Sequence, residues 1–351
     1  MKKRRARLVL VLSLIMAITT TMGATASAAV SGKSKDVQVV KGTVTNNVDM
    51  TRYEKGKVVK VWLPVAQSNE NQKITKVKYE VGKGGKAKIT KDKKGNKMLY
   101  VKWGKNADPA NRTITLSFHA KRNQVIAPKI KEKGKIPEKI SDKYLKATST
   151  VPVTGEVKVL ADKITKGKKT QTEKARAIYD WVYDNMVRDE SVVGCGTGNV
   201  PELLNTKSGK CTDINSVFVG LCRAAGVPAR EMFGIRMNDA DITKNQHCWA
   251  EFYIQGTGWI AADPADALKA VLKNNWSKDQ QEALDTKESY WGGWDAQRVE
   301  LSRGRDITLN PAQNGKKLNN FGYPYAEVDG NEISCYAPDQ FVYNYTFQAD
   351  K

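Results

Sequence analysis

Hydrophobic residues follow two different periods along the chain. Up to about residue 120 they alternate. Ile114, Leu116 and Phe118 share one face of the stretch Thr113–Phe118, and Leu99, Val101 and Trp103 share another. Val58–Leu63 and Ile74–Tyr79 are further strand candidates, and the turn-rich stretch Asp92–Asn96 precedes the Leu99 strand. Short alternating segments with turn residues between them predict a β-sandwich of roughly 100 residues. Beyond residue 150 the period lengthens. Ala175, Ile178, Trp181 and Val182 fit a helix starting near Thr172. Ile214, Val217, Phe218, Leu221, Cys222 and Ala225 step by three and four, so they form one buried helical face, which Gly226 and Pro228 bring to a stop. Gln246–Ile254 alternates again. Cys248, Ala250, Phe252 and Ile254 are on the apolar side, and His247, Trp249, Glu251 and Tyr253 on the other.

The first residues have a different character. Lys2, Lys3, Arg4, Arg5 and Arg7 precede an apolar run from Leu8 to Ile18, and two A-x-A sites end at Ala26 and Ala28. This is the pattern of a secretory signal peptide cleaved near residue 28. The run is short for a membrane span, and no stretch elsewhere reaches the ~18 apolar residues a spanning helix needs. The expected product is secreted, with no integral membrane segment. Ile126–Thr150 mixes Lys with Glu, is broken by Pro128 and Pro137, and sustains no period, so it reads as a linker. The expected organisation is therefore 1–28 signal peptide, 29–125 basic β-sandwich, 126–150 linker and a second domain over 151–351, which the candidate chemistry below marks as the catalytic one.

Charge separates the two halves. The net charge is +21, and residues 31–150 alone hold 29 Lys+Arg against 10 Asp+Glu. Outside a cell such a surface suits anionic cell-envelope polymers, or acts only as a solvated face that keeps the domain soluble. Nucleic acid is not an expected partner of an exported protein.

Candidate chemistry is narrow. The chain has two histidines, so any His-dependent reaction must use His119 or His247. His119 ends a strand with no nucleophile or paired carboxylate near it, and reads as structural. The five cysteines are an odd number, so export still leaves one thiol over. Cys211 falls at the start of the buried helix, just after Gly209. Free N–H groups and a partial positive charge there favour thiolate and could stabilise an oxyanion. Cys222 reads as a small buried hydrophobe. If Gln246–Ile254 forms a hairpin with Trp259–Ala262 about a turn centred on residue 255, His247 and Asp263 stand opposite each other, within reach of a hydrogen bond. A lone Cys at a helix start, or a lone strand His, is ordinarily structural. Together, in the order Cys, His, Asp, they describe a nucleophile, a base and a carboxylate that orients it. A zinc site of His247, Cys248 and other thiols is the rival, but the paired C-x-x-C spacing is missing. Arg230 reads as an ion-pair partner. Trp181, Trp249 and Trp259 could wall a cleft, with core packing the expected role for at least two.

The runs GKCTDINSVFVGLCRAAGVPAREMFGIRM (Gly209–Met237) and QHCWAEFYIQGTGWIAADPAD (Gln246–Asp266) resemble the transglutaminase-like superfamily of exported bacterial proteins. The resemblance extends to Lys174–Met186, Gly194–Val200, Arg298–Pro311 and Tyr323–Gly330, and Val61–Ile74 resembles the β-domain that often precedes this core. It implies an α+β fold: a papain-like transglutaminase core preceded by an all-β sandwich-like domain. It also implies Cys211 as nucleophile, His247 as base and Asp263 as third member. The activity implied is a thioester with peptide-bound amides, resolved by an amine (cross-linking) or by water. A cysteine peptidase or amidase is the first alternative, and a non-catalytic envelope-binding protein the second. Protein or peptide substrates are the expected partners. Calcium-dependent members exist, but no acidic calcium loop is apparent, and no metal or cofactor is expected. A Cys195–Cys248 disulfide is one of three pairings open to the thiols other than Cys211.

Overall fold

The computed structural model describes residues 37–351; the leader-like segment lies outside the described residues. Two antiparallel sheets pack face to face. The first has the order Val342–Ala349, Val39–Asp49, Thr113–Asn123, Gln72–Val81. The second has the order Asn331–Ile333, Tyr325–Val328, Val59–Val65, Lys97–Trp103, Gly85–Lys91. Alternation makes the sandwich: Val48, Ile114 and Leu116 of the first sheet meet Val59, Val61, Leu63, Leu99, Val101 and Trp103 of the second. The strand Val39–Asp49 escapes sequence reading because its inward face is interrupted by Asn46, which is itself buried.

The C-terminal boundary expected at 351 does not follow the structure. Of the nine sandwich strands among the described residues, three come from residues 325–349. Val342–Ala349 pairs with Val39–Asp49 from Gly42↔Ala349 to Asp49↔Val342, and Tyr325–Val328 pairs with Val59–Val65. Without these partners both N-terminal strands would be open edges with unpaired backbone groups. The β-domain is therefore closed by the far end of the chain, and the core is inserted between its parts. His119 belongs to this domain, where its ring meets Asp350 at 3.0 Å.

The core sheet has the order Trp291–Gly292, Gly258–Ala262, Gln246–Ile254, Ala229–Arg236, Arg298–Arg303. One face packs on the helix Cys211–Ala224, with Cys248, Ala250 and Phe252 against Ile214, Val217 and Phe218. The other packs on the sandwich, where Ile235, Val299 and Leu301 meet Val44, Phe118, Ala120 and Tyr345. All fourteen residues of the helix are buried. This is the α+β, papain-like arrangement that the sequence implies. A second helix, Gln171–Asn185, packs beside it and starts with a capping box between Thr170 and Glu173. The segment 126–150 connects the two parts but does not hang free. Glu132 accepts the Gln171 and Thr172 N–H groups at 2.8 and 3.0 Å, and Tyr144 sets its ring edge-on to Trp259 at 4.7 Å. Among the described residues no helix is long and apolar enough to cross a membrane.

Candidate active site

Cys211 is the first residue of its helix, and the terminus is tied down from both sides. The Asp213 carboxylate accepts the Lys210 N–H at 3.0 Å and the Gly198 N–H at 2.8 Å. The Gly-rich loop lies so close that a Cβ at Gly196, whose φ is +89°, would sit 1.9 Å from Asp213 Oδ2. Glycine is required there on both counts. The loop carries Cys195 to the helix start, where the Thr212 N–H donates to the Cys195 carbonyl at 2.9 Å.

His247 and Asp263 meet, though not by the expected register. Ala250 pairs with Ala262 and Ile254 with Gly258, so the turn is centred on residue 256 and His247 has no strand partner in that hairpin. Asp263 has already left the strand and caps the helix Pro264–Asn274, accepting the Asp266 N–H at 3.1 Å. From there its Oδ2 reaches His247 Nε2 at 2.7 Å. Asn215, one helical turn after Cys211, fixes both partners: its Nδ2 donates to Asp263 Oδ1 at 3.2 Å and to the Cys248 carbonyl at 2.9 Å. With Nε2 committed to Asp263, Nδ1 is the ring nitrogen left for Cys211.

A buried charge cluster stands behind the imidazole. Arg298 has no exposure; it donates to Asp263, and to Asp266 and Asp295 at 2.7 Å each. Arg236 adds bonds to Asp266 and, at 3.3 Å, to Asp295. Three carboxylates therefore face two guanidiniums, and an imidazolium would balance the count. Burial works to push His247 down, but the Asp266 carboxylate 3.5 Å away, then Asp263, outweigh both burial and Arg236 and hold it above its usual value.

Cys211 sits among other sulfurs. Its Sγ is 3.7 Å from Cys248 Sγ, and Cys195, Cys211 and Cys248 place their sulfurs within 4.8 Å of one another. Hydrogen bonding with the neighbouring Cys195 and Cys248 sulfurs, followed by the hydrogen bond and charge of His247, outweighs burial and holds the Cys211 thiol well below its usual range. Cys222 has no such partners, and burial pushes its thiol well up. All five cysteines are free thiols, so Cys195 and Cys248 are not bonded to each other; both stand beside Cys211.

Cys211 and His247 open onto a cleft of about 590 Å³ that also takes in Cys195 and Gln246. Its charged lining is mostly cationic, with Arg188, Lys210, Lys244 and Lys269 against Glu190. Tyr323, Tyr336, Phe341 and Tyr343 form the aromatic wall, so the C-terminal segment that closes the sandwich also closes the cleft. None of the three tryptophans named from sequence lines it. Trp249 is buried with its ring 6.0 Å from that of His247, and Trp259 packs under Arg230 at 3.9 Å. Arg230 itself pairs with Glu251 at 2.5 Å.

Sequence reading missed Asn215, Asp266, Arg236 and Arg298. A usable signal was present: Thr212, Asp213, Asn215 and Ser216 are four polar residues within the first two turns of a helix whose later residues are mostly apolar, and all are buried. Among the described residues two groups have the composition of metal ligands, the three thiols and the set His247, Asp263 and Asp266. In the second set the guanidiniums of Arg236 and Arg298 already supply the positive charge. The first is a soft-ligand set.

The family model described as the transglutaminase-like superfamily matches residues 158–264. A Haemophilus influenzae protein, itself described as uncharacterized, is 36% identical over 313 residues, which cover 81% of this chain and 85% of that protein. YebA of Bacillus subtilis is 27% identical over 166 residues, 42% of this chain and 21% of YebA. A solved structure described as a candidate cysteine protease from Cytophaga hutchinsonii is similar in fold, with a TM-score of 0.53 at 17% identity, covering 89% of this chain and 98% of that one.

Proposed function

The chain belongs to the transglutaminase-like superfamily, and from that premise we propose that it forms a thioester between Cys211 and the acyl group of a peptide-bound amide. The observation that carries this reading is the pairing of a depressed Cys211 thiol with an imidazole held at 2.7 Å by Asp263, both opening onto one cleft. The Cys211 sulfur attacks the amide carbon. The Cys211 backbone N–H, at a helix terminus with no intrahelical acceptor, meets the developing oxyanion. Gln246 Nε2 is buried in the same cleft without a partner among the described residues and is a second donor of the right kind. His247 passes its proton to the departing amine, and Asp263 keeps the ring oriented. The thioester then goes to an amine, giving a cross-link, or to water, giving hydrolysis. The leader-like residues 1–28 support export, and the Lys-rich β-domain supports contact with anionic envelope polymers.

The test is incubation of a glutamine-containing protein with a fluorescent primary amine. Amine incorporation that is lost in Cys211→Ser supports transfer. Ammonia or new chain termini without incorporation assign hydrolysis. If neither occurs, and Cys211 is alkylated by iodoacetamide at neutral pH no faster than Cys222, the catalytic reading is wrong.

A further inference from the structure

One thiol suffices for thioester chemistry, yet three meet at the helix terminus. Two of them are held there by contacts of their own. Thr212 Oγ1 lies 2.8 Å from Cys248 Sγ, and Asn320 Nδ2 donates to the same sulfur at 3.6 Å. Tyr323 O–H donates to Cys195 Sγ at 3.1 Å, and the Cys195 thiol points at the Gln246 carbonyl at 3.6 Å. Cys248 is in a strand interior and Cys211 opens onto the cleft, so a small reagent reaches Cys211 first. An accessible thiolate with a second thiol in contact is the arrangement by which oxidation is captured as a disulfide before it proceeds to sulfinic acid.

We propose that Cys211 and Cys248 form a reversible redox pair, in which a hydroperoxide oxidises Cys211 and Cys248 resolves the product as a Cys211–Cys248 disulfide. In the first step the Cys211 sulfur attacks the nearer peroxide oxygen. An S–O bond forms, the O–O bond breaks, and the departing oxygen leaves as water or alcohol with a proton from His247. In the second step the Cys248 sulfur attacks Cys211, the S–S bond forms, and hydroxide leaves as water with the proton that Cys248 gives up. Two thiols are oxidised and one peroxide is reduced. A dithiol reductant reverses the change. The pair would protect the proposed nucleophile and silence it while oxidised. This rests on Cys211 being the accessible thiolate of the proposed function, but not on acyl transfer itself.

The experiment treats the reduced full chain with hydrogen peroxide and maps its peptides without reduction. The expected result is a Cys211–Cys248 linked peptide that disappears with dithiothreitol, together with full recovery of Cys211 alkylation. The Cys195→Ala variant should keep the link. In Cys248→Ala, and in the closer replacement Cys248→Ser, Cys211 should pass to sulfinic and sulfonic acid, and reductant should no longer restore alkylation. Wild-type protein that accumulates Cys211 sulfinic acid without the link, or that links Cys211 to Cys195 instead, overturns the proposal. The two readings fail separately: linkage without any acyl transfer leaves the redox pair standing, whereas transfer without linkage removes it.

Discussion

Arg298→Met removes the charge at the centre of the buried cluster while keeping an unbranched side chain in its place. Arg298 donates to Asp263, to Asp266 at 2.7 Å and to Asp295 through two nitrogens at 2.7 and 3.0 Å, with no solvent exposure. Without it, three carboxylates share Arg236 and the imidazole. Breaking a buried ion pair by deleting one partner costs about 3–5 kcal/mol. That is a large part of a total stability of about 5–15 kcal/mol. The deficit should depend on pH. Burial works against ionisation of Asp295, but Arg298 and then Arg236 hold it below the usual carboxylate range. Asp266 is likewise buried, yet Arg236, His247 and Arg298 hold it well below that range. A carboxylate whose folded value is depressed adds stability that is complete above the unfolded value of about 3.9 and fades as the pH falls below it. The wild type has more of this to lose than the variant. Urea denaturation should therefore show the full deficit at pH 7.5 and a narrowing one below about pH 4. A neutral-pH deficit under about 1 kcal/mol, or one that stays constant into acid, would refute the cluster's role.

Asp266→Asn should lower the His247 value, because the Asp266 carboxylate is the largest influence raising it; the alkaline limb of the pH–rate profile for ammonia release should move to lower pH, and an unmoved limb would contradict this. Gln246→Ala should reduce turnover by about 100-fold or more if Nε2 meets the oxyanion, with the rate of Cys211 alkylation unchanged; slowed alkylation would point to a structural role instead. Gly196→Ala forces a side chain into φ +89° and against Asp213. It should destabilise the chain by about 1–3 kcal/mol and slow Cys211 alkylation by displacing Cys195, which thermal melts and labelling rates would show.

Much of the chemistry is local, and local chemistry is legible. Cys211 at a helix start follows from a Gly-containing loop and an apolar period of three and four, both contained in one short run. His247 and Asp263 follow from alternation and a turn. The turn centre was misplaced by one residue, and the bond forms regardless, because Asp263 reaches back from a helix cap rather than across a strand pair. The placement of the C-terminal strands was not legible. Tyr325–Val328 is too short to carry a period, and although Val342–Ala349 alternates Tyr343, Tyr345 and Phe347 with polar residues, their place depends on which N-terminal edges stand open after the rest has folded.

Cys248 shows the limit most clearly. Its place on the apolar side of its strand is written in the alternation of Gln246–Ile254, and that is where it lies. That the same face would bring its sulfur to 3.7 Å from Cys211 depends on how the helix crosses the sheet. Arg298 is similar: its charge is plain in the chain, while its three carboxylate partners come from segments 3, 32 and 35 residues away. The amino-acid order by itself determined the kinds of element, the nucleophile, the base and its carboxylate, because periodicity and capping act over a few residues. Only tertiary packing decided which sulfurs share a site, which charges neutralise one another, and which end of the chain closes the β-domain and the cleft, because those depend on distances between segments that no local pattern encodes.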